Sequence, residues 1–211
     1  GSALFDSICR LPWYRVTRAE LALLKKHAVE ILTGATEGTR LVELGPGNGE
    51  KLSTLISAGS PSNVAMEVHL VDVSAAALGD AARGLSGFDS LRIIAHEARY
   101  EVGLSQVAEG AGSDGNTLVL FLGSNIGNFD QEAAITFLRG VRATLRPGDG
   151  LLLGADLRKP EEALLLAYDD PLGVTAAFNL NLLVRLNREL SADIDLSGFR
   201  HEALWNEERS R

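Results

Sequence analysis

The residues best placed for chemistry are Glu43-Leu44-Gly45-Pro46-Gly47-Asn48-Gly49. They follow a short β-rich run, Arg40 to Leu44, and precede Lys51 to Ala58, where Leu52, Leu55 and Ile56 fall at helical spacing. Glycines between a strand and a helix let the backbone turn tightly and approach a ligand with no Cβ in the way. The crevice outside the carboxyl ends of parallel strands is where such folds bind ligands. Asp72 closes the next strand-like run, Glu67 to Val73. An acid about 20 residues beyond the glycines is placed to accept hydrogen bonds from ribose hydroxyls.

A nicotinamide-binding loop needs G-x-G-x-x-G, but the third position here is Glu50. A helix N-terminus cradling a pyrophosphate would also disfavour an acid so close. The pattern E-x-G-x-G-x-G instead resembles the first motif of class I methyltransferases, whose cofactor has no phosphate and carries a positive sulfonium. On the residues alone, a plain turn with glycines used only for packing is the competing reading.

A second polar loop is Phe121-Leu122-Gly123-Ser124-Asn125-Ile126-Gly127-Asn128-Phe129. It follows an apolar run, Thr117 to Leu122, so its polar groups should emerge at the same sheet edge as the glycines. Asn128 can both donate and accept, which suits the carboxylate or amine of an amino acid. Its alternative role, capping the helix from Gln131, fits Asp130 better. Further on, Tyr168-Asp169-Asp170 offers a phenol to a polar ligand; a partly buried structural tyrosine fits those residues equally well.

The elements that must position these groups alternate. Glu20 to Leu32 reads as an amphipathic helix, and Ser74 as the N-cap of an Ala-rich helix ending at Leu85. Leu91 to Ala95 reads as a third strand, Gln131 to Leu145 as a helix, and Leu151 to Ala155 as a fifth strand. Such alternation predicts an α/β fold: a mostly parallel sheet with helices on both faces. The glycine-rich loop 109–116 reads as a mobile surface connection. After Asp156 come two helices, Pro160 to Tyr168 and Thr175 to Leu190, then a strand-like piece, Glu202 to Trp205.

Composition excludes several classes. The net charge is -8 with scattered basic residues, whereas nucleic-acid binders carry a basic stripe. No apolar run approaches the ~20 residues of a membrane span. Cys9 is the only cysteine, so an internal disulfide and a cysteine-built metal site are excluded; it reads as a buried packing residue. The four histidines show no metal-ligand spacing. A cytosolic location fits this composition.

Together the segments resemble the histidine-specific N-methyltransferases of ergothioneine biosynthesis. The likeness covers nearly the whole chain. It rests on Leu4-Phe5-Asp6, Leu11-Pro12-Trp13-Tyr14, Thr17-Arg18-Ala19-Glu20, residues 43–51, the Gly123 to Asn128 motif, Tyr168-Asp169-Asp170 and Phe178-Asn179-Leu180-Asn181. The resemblance implies a Rossmann-like class I methyltransferase fold with a smaller substrate domain built from both chain ends. It implies S-adenosylmethionine as cofactor and methylation of the α-amino group of an amino acid, L-histidine first.

By the same resemblance, Gly45, Lys51 and Asp72 hold the cofactor, with Glu43, Gly47, Gly49 and Gly123 beside them. An acid-aromatic pair normally meets the adenine. This chain has Glu97-Ala98-Arg99-Tyr100 in that area, which makes Arg99 and Tyr100 the candidates. Substrate contacts map to Tyr14, Asn128 and Tyr168, although many members carry two adjacent tyrosines where this chain has Tyr14-Arg15. The expected organisation is a remnant at residues 1–2, an N-terminal helical part of the substrate domain at 3–32, the cofactor domain at 33–192, and the start of a truncated substrate-domain segment at 193–211. A methyltransferase for a tryptophan-derived amine, or a non-catalytic cofactor-binding module, remain the alternatives.

Overall fold

The structure, a computed structural model, describes residues 2–33, 35, 38–59, 65–110 and 115–209. Gly1 of the expected remnant and residues 111–114 of the glycine-rich loop lie outside the described residues. Contacts divide the chain into two compact units. One comprises residues 20–156, the other residues 1–19 with 157–211.

The first unit is built on five parallel strands: β1 (Arg40–Leu44), β2 (Met66–Asp72), β3 (Leu91–Glu97), β4 (Thr117–Phe121) and β5 (Gly150–Leu153). Their order across the sheet is β3-β2-β1-β4-β5, each neighbouring pair parallel. Strand β1 is buried at all five positions, as a central strand covered on both faces must be. One face packs α2 (Val16–Ile31), α3 (Glu50–Gly59) and α4 (Ala75–Leu85) through Leu24, Leu52, Leu55, Leu78 and Leu85 against Leu41, Val68 and Leu70. The other packs α5 (Tyr100–Gly110) and α6 (Gln131–Thr144) through Leu104, Val107, Phe137 and Val141 against Val42, Val71 and Phe121. This is the α/β class that the alternating pattern predicts.

Two capping expectations hold in detail. Ser74 accepts from the Ala77 amide at 3.3 Å and Asp130 from the Ala133 amide at 2.8 Å. Helix α5 has no counterpart in the sequence reading. Its Gly103 and Gly110 weaken the apolar period, and packing against Val71 compensates.

The second unit contains α1 (Ser2–Arg10), α7 (Glu161–Tyr168) and α8 (Val174–Leu190) around a small core of Ile8, Leu11, Tyr14 and Ala167. The division at 156/157 places residues 157–192 with the chain ends, where the sequence reading assigned them to the cofactor domain. Cys9 is partly rather than fully buried and packs at the rim of that core. Residues 202–205 are not a strand: they carry no ladder bonds, and Trp205 instead lies under the Arg158 guanidinium, 5.8 Å from its ring centre. No helix among the described residues is long and apolar enough to cross a membrane.

Candidate active site

Strand order reverses between β1 and β4, so the chain leaves their carboxyl ends toward opposite faces of the sheet, α3 on one and α6 on the other, which opens a crevice. The two loops singled out from sequence leave the sheet there. Strand β1 runs into Gly45, whose amide donates to Val71 O at 2.9 Å and extends the β1–β2 ladder by one step. Leu44 pairs with Val71 in register, so Gly45 lies beside Asp72. The glycine loop and Asp72 thus stand side by side at one sheet edge, as the sequence leads one to expect.

The loop turns through Gly45, Gly47 and Gly49, with φ of 71°, 58° and 77°. This left-handed region favours glycine. A Cβ on Gly47 would meet nothing within 4 Å, so open space lies above the loop. A Cβ on Gly49 would come within 2.9 Å of the Ala81 carbonyl oxygen, so α4 crosses against it. Asn48 Oδ1 accepts from the Glu50 amide at 3.1 Å and starts α3. Asp72 is half-buried, and one of its oxygens accepts from the Ser74 amide at 2.8 Å.

Two further side chains border the loop. A Cβ on Gly45 would approach the Tyr100 hydroxyl to 2.8 Å and Asn125 Nδ2 to 3.4 Å. The Tyr100 ring packs edge-on against Phe121 and Phe137, so this candidate adenine contact is anchored in the core with its hydroxyl at the loop. Burial, then the charges of Asp72 and Glu101, push its phenol up, keeping it a donor. Arg99 is exposed at the start of α5.

Beneath the loop lies a charged cluster. Lys51 Nζ is 2.7 Å from Glu20 Oε2. Both Glu20 oxygens accept from the Gly123 amide, at 2.8 and 3.0 Å. Glu43 on β1 is buried, and its Oε2 has no hydrogen-bond partner. Burial raises its carboxyl to about 8; Lys51 opposes that rise and Glu20 adds to it. Glu43 therefore holds its proton at neutral pH. Sequence reading assigned no role to Glu20 or Asn125, although both stand inside quoted motifs. Their signal was the motif itself; their partners lie 103 residues away for Glu20 and across two loops for Asn125.

Asn128 ends a 3-10 turn, Asn125–Asn128, and is exposed. In the second unit, Tyr14 is buried and meets Tyr168 edge-on, ring centres 5.9 Å apart. Tyr168 is 43% exposed. His201 Nε2 donates to the Tyr168 carbonyl at 2.7 Å.

A Rossmann-like sheet with a glycine loop and an acid at its switch point defines the class I methyltransferase architecture. A candidate methyltransferase from Thermobifida fusca YX shares that fold, with a TM-score of 0.52 at 14% identity over 79% of this chain and 64% of its own. The family model for histidine-specific, S-adenosylmethionine-dependent methyltransferases matches residues 1–211, and the chain belongs to that family. It is 42% identical to the histidine N-alpha-methyltransferase of Mycolicibacterium smegmatis and 41% to that of Mycobacterium tuberculosis, in both cases over its whole length. The chain spans 64% of the length of each of these relatives.

Proposed function

We propose that this chain transfers the methyl group of S-adenosylmethionine to the α-amino group of an amino acid, L-histidine. The observation that carries the substrate is its 42% identity, over the full chain, to a histidine N-alpha-methyltransferase. The residues at the β1–β4 crevice fit the cofactor. Gly47 faces open space, Asp72 keeps one carboxylate oxygen for a ribose hydroxyl, and Lys51 places an ammonium near Gly123 for a carboxylate. When bound, the cofactor supplies a methyl already activated by its sulfonium.

The protein's task is then to place a neutral amine in line with that methyl. Asn128, exposed beyond β4, is the candidate to hold the amino acid's polar end by donating and accepting. Tyr168 is the second candidate contact, with Tyr14 bracing its ring. No side chain is assigned as general base; water takes the amine proton before attack. A cytoplasmic setting is supported by the single cysteine.

Incubation with methyl-labelled cofactor and a panel of free amino acids tests the reading. Mass spectrometry should find label on the α-nitrogen of histidine. Product only with a tryptophan-derived amine, or cofactor binding with no transfer, would contradict it. Asn128→Ala should weaken histidine binding about tenfold, the worth of one or two hydrogen bonds, with S-adenosylhomocysteine binding retained. Equal loss of both, by calorimetry, would remove Asn128 from the substrate side.

A further inference from the structure

We propose that Glu20 is a positioning residue that sets the Lys51 ammonium and the Gly123 backbone at the methyl-donor crevice. The proposal rests on the cofactor reading above. Glu20 is mostly buried, with its side chain 12% exposed, and stands where three elements converge. One carboxylate takes the Gly123 amide through both oxygens and the Lys51 ammonium through one. A Cβ on Gly123 would lie 2.6 Å from Lys51 Nζ, so the ammonium rides directly over this glycine. A Cβ on Gly154 would run into Glu20 Oε1, so the residue just past β5 also closes around the carboxylate. Gly123 has φ of 79°, and its amide is turned toward Glu20 at the point where the second loop begins. Without Glu20, nothing described would hold that amide or fix the direction of the Lys51 side chain.

Burial sets the protonation of Glu43, Lys51 opposes it, and Glu20 adds to the upward push. Lys51 and Glu20 are the charged groups that act on buried Glu43, and the Glu20 charge favours the protonated form of Glu43. With Glu43 neutral, the cluster's charge is that of the Lys51–Glu20 ion pair alone. A ligand carboxylate then meets an ammonium that has not been over-neutralised. As pH rises through about 8, Glu43 ionises and adds a negative charge beneath Lys51.

Calorimetry of S-adenosylhomocysteine from pH 6 to 9.5 tests this with the native chain, Glu20→Gln and Glu43→Gln. The native chain should bind, with affinity falling as pH rises through about 8. Glu20→Gln keeps an acceptor for Gly123 but loses the ion pair. It should bind about tenfold more weakly at pH 7, the scale of a lost charge-assisted contact. Its alkaline fall should begin at lower pH, because Glu43 ionises more readily without the Glu20 charge. Glu43→Gln should lack the fall. A merely structural Glu20 would alter affinity without moving the pH midpoint. Native binding with Glu20→Gln unchanged in affinity and pH profile would overturn the positioning role. An alkaline fall that survives in Glu43→Gln would overturn its electrostatic basis. Absence of binding by the native chain would instead overturn the cofactor reading itself.

Discussion

Gly47 and Gly49 stand two residues apart and do different work. Gly49 abuts the α4 backbone, so Gly49→Ala combines a positive-φ strain with a clash against Ala81. It should cost roughly 2 kcal/mol or more in urea unfolding. Gly47 faces open space, so Gly47→Ala carries only the strain, about 1 kcal/mol. Its new methyl would project where a ligand approaches, so S-adenosylhomocysteine affinity should fall far more than stability. Comparable stability losses in the two variants would contradict this division. Glu43 makes a pH prediction. Its carboxyl is raised from an ordinary 4.5 to about 8 in the folded state. A group raised on folding contributes stability that is full below pH 4.5 and lost as pH rises through about 8. Glu43→Gln should therefore gain stability over the native chain between pH 5 and pH 9, on the order of a few kcal/mol, in paired denaturant titrations. The glycine loop and the position of Asp72 were legible because both lie at strand ends, which the local pattern of residues marks. Glu20 was not, because its partners are brought to it by the fold.

At the level of elements, a cap decides the start of α8. Asp170 is buried and accepts from the amides of Leu172, Val174 and Thr175, at 3.1, 3.1 and 2.7 Å. Burial alone would raise its carboxyl; the bonds from Thr175, Val174 and Leu172 outweigh that and hold it below the usual 3.8. Its contribution is thus present above pH 3.8 and lost as acid titrates it below that value. Asp170→Ala should destabilise the second unit by roughly 2 kcal/mol at pH 7, and the difference from native should shrink in acid. Melts followed by circular dichroism at pH 7 and pH 3 check both statements. The sheet strands and α3, α4 and α6 were readable because each pairs a period with a stop or cap: Ser74, Asp130, the glycines after β1. Helix α5 escaped because its glycines carry no apolar signal, although Gly103 serves close contact with Val71 of β2. Residues 202–205 misled because a short apolar run, Ala203-Leu204-Trp205, resembles a strand, whereas Trp205 packs under Arg158 and Leu204 stays exposed.

For the whole molecule, the sequence makes the fold class plain and the unit boundary less so. Alternating strands and helices fix a parallel sheet, and the order β3-β2-β1-β4-β5 brings both polar loops to one crevice. The change of pattern after Asp156 marks the boundary that the contacts draw, but which helices join the chain ends is a property of packing. Tyr14 and Tyr168, 154 positions apart in sequence, meet in one small core that no local signal announces. Everything functional depends on the β1–β4 crevice accepting an adenosyl group with Asp72 on its sugar. The most direct measurement is a titration of S-adenosylhomocysteine into the native chain and into Asp72→Ala by isothermal calorimetry. The account predicts saturable one-to-one binding by the native chain, weakened at least tenfold in Asp72→Ala for the lost ribose hydrogen bonds. Binding that is absent from the native chain, or equal in the two, would contradict it.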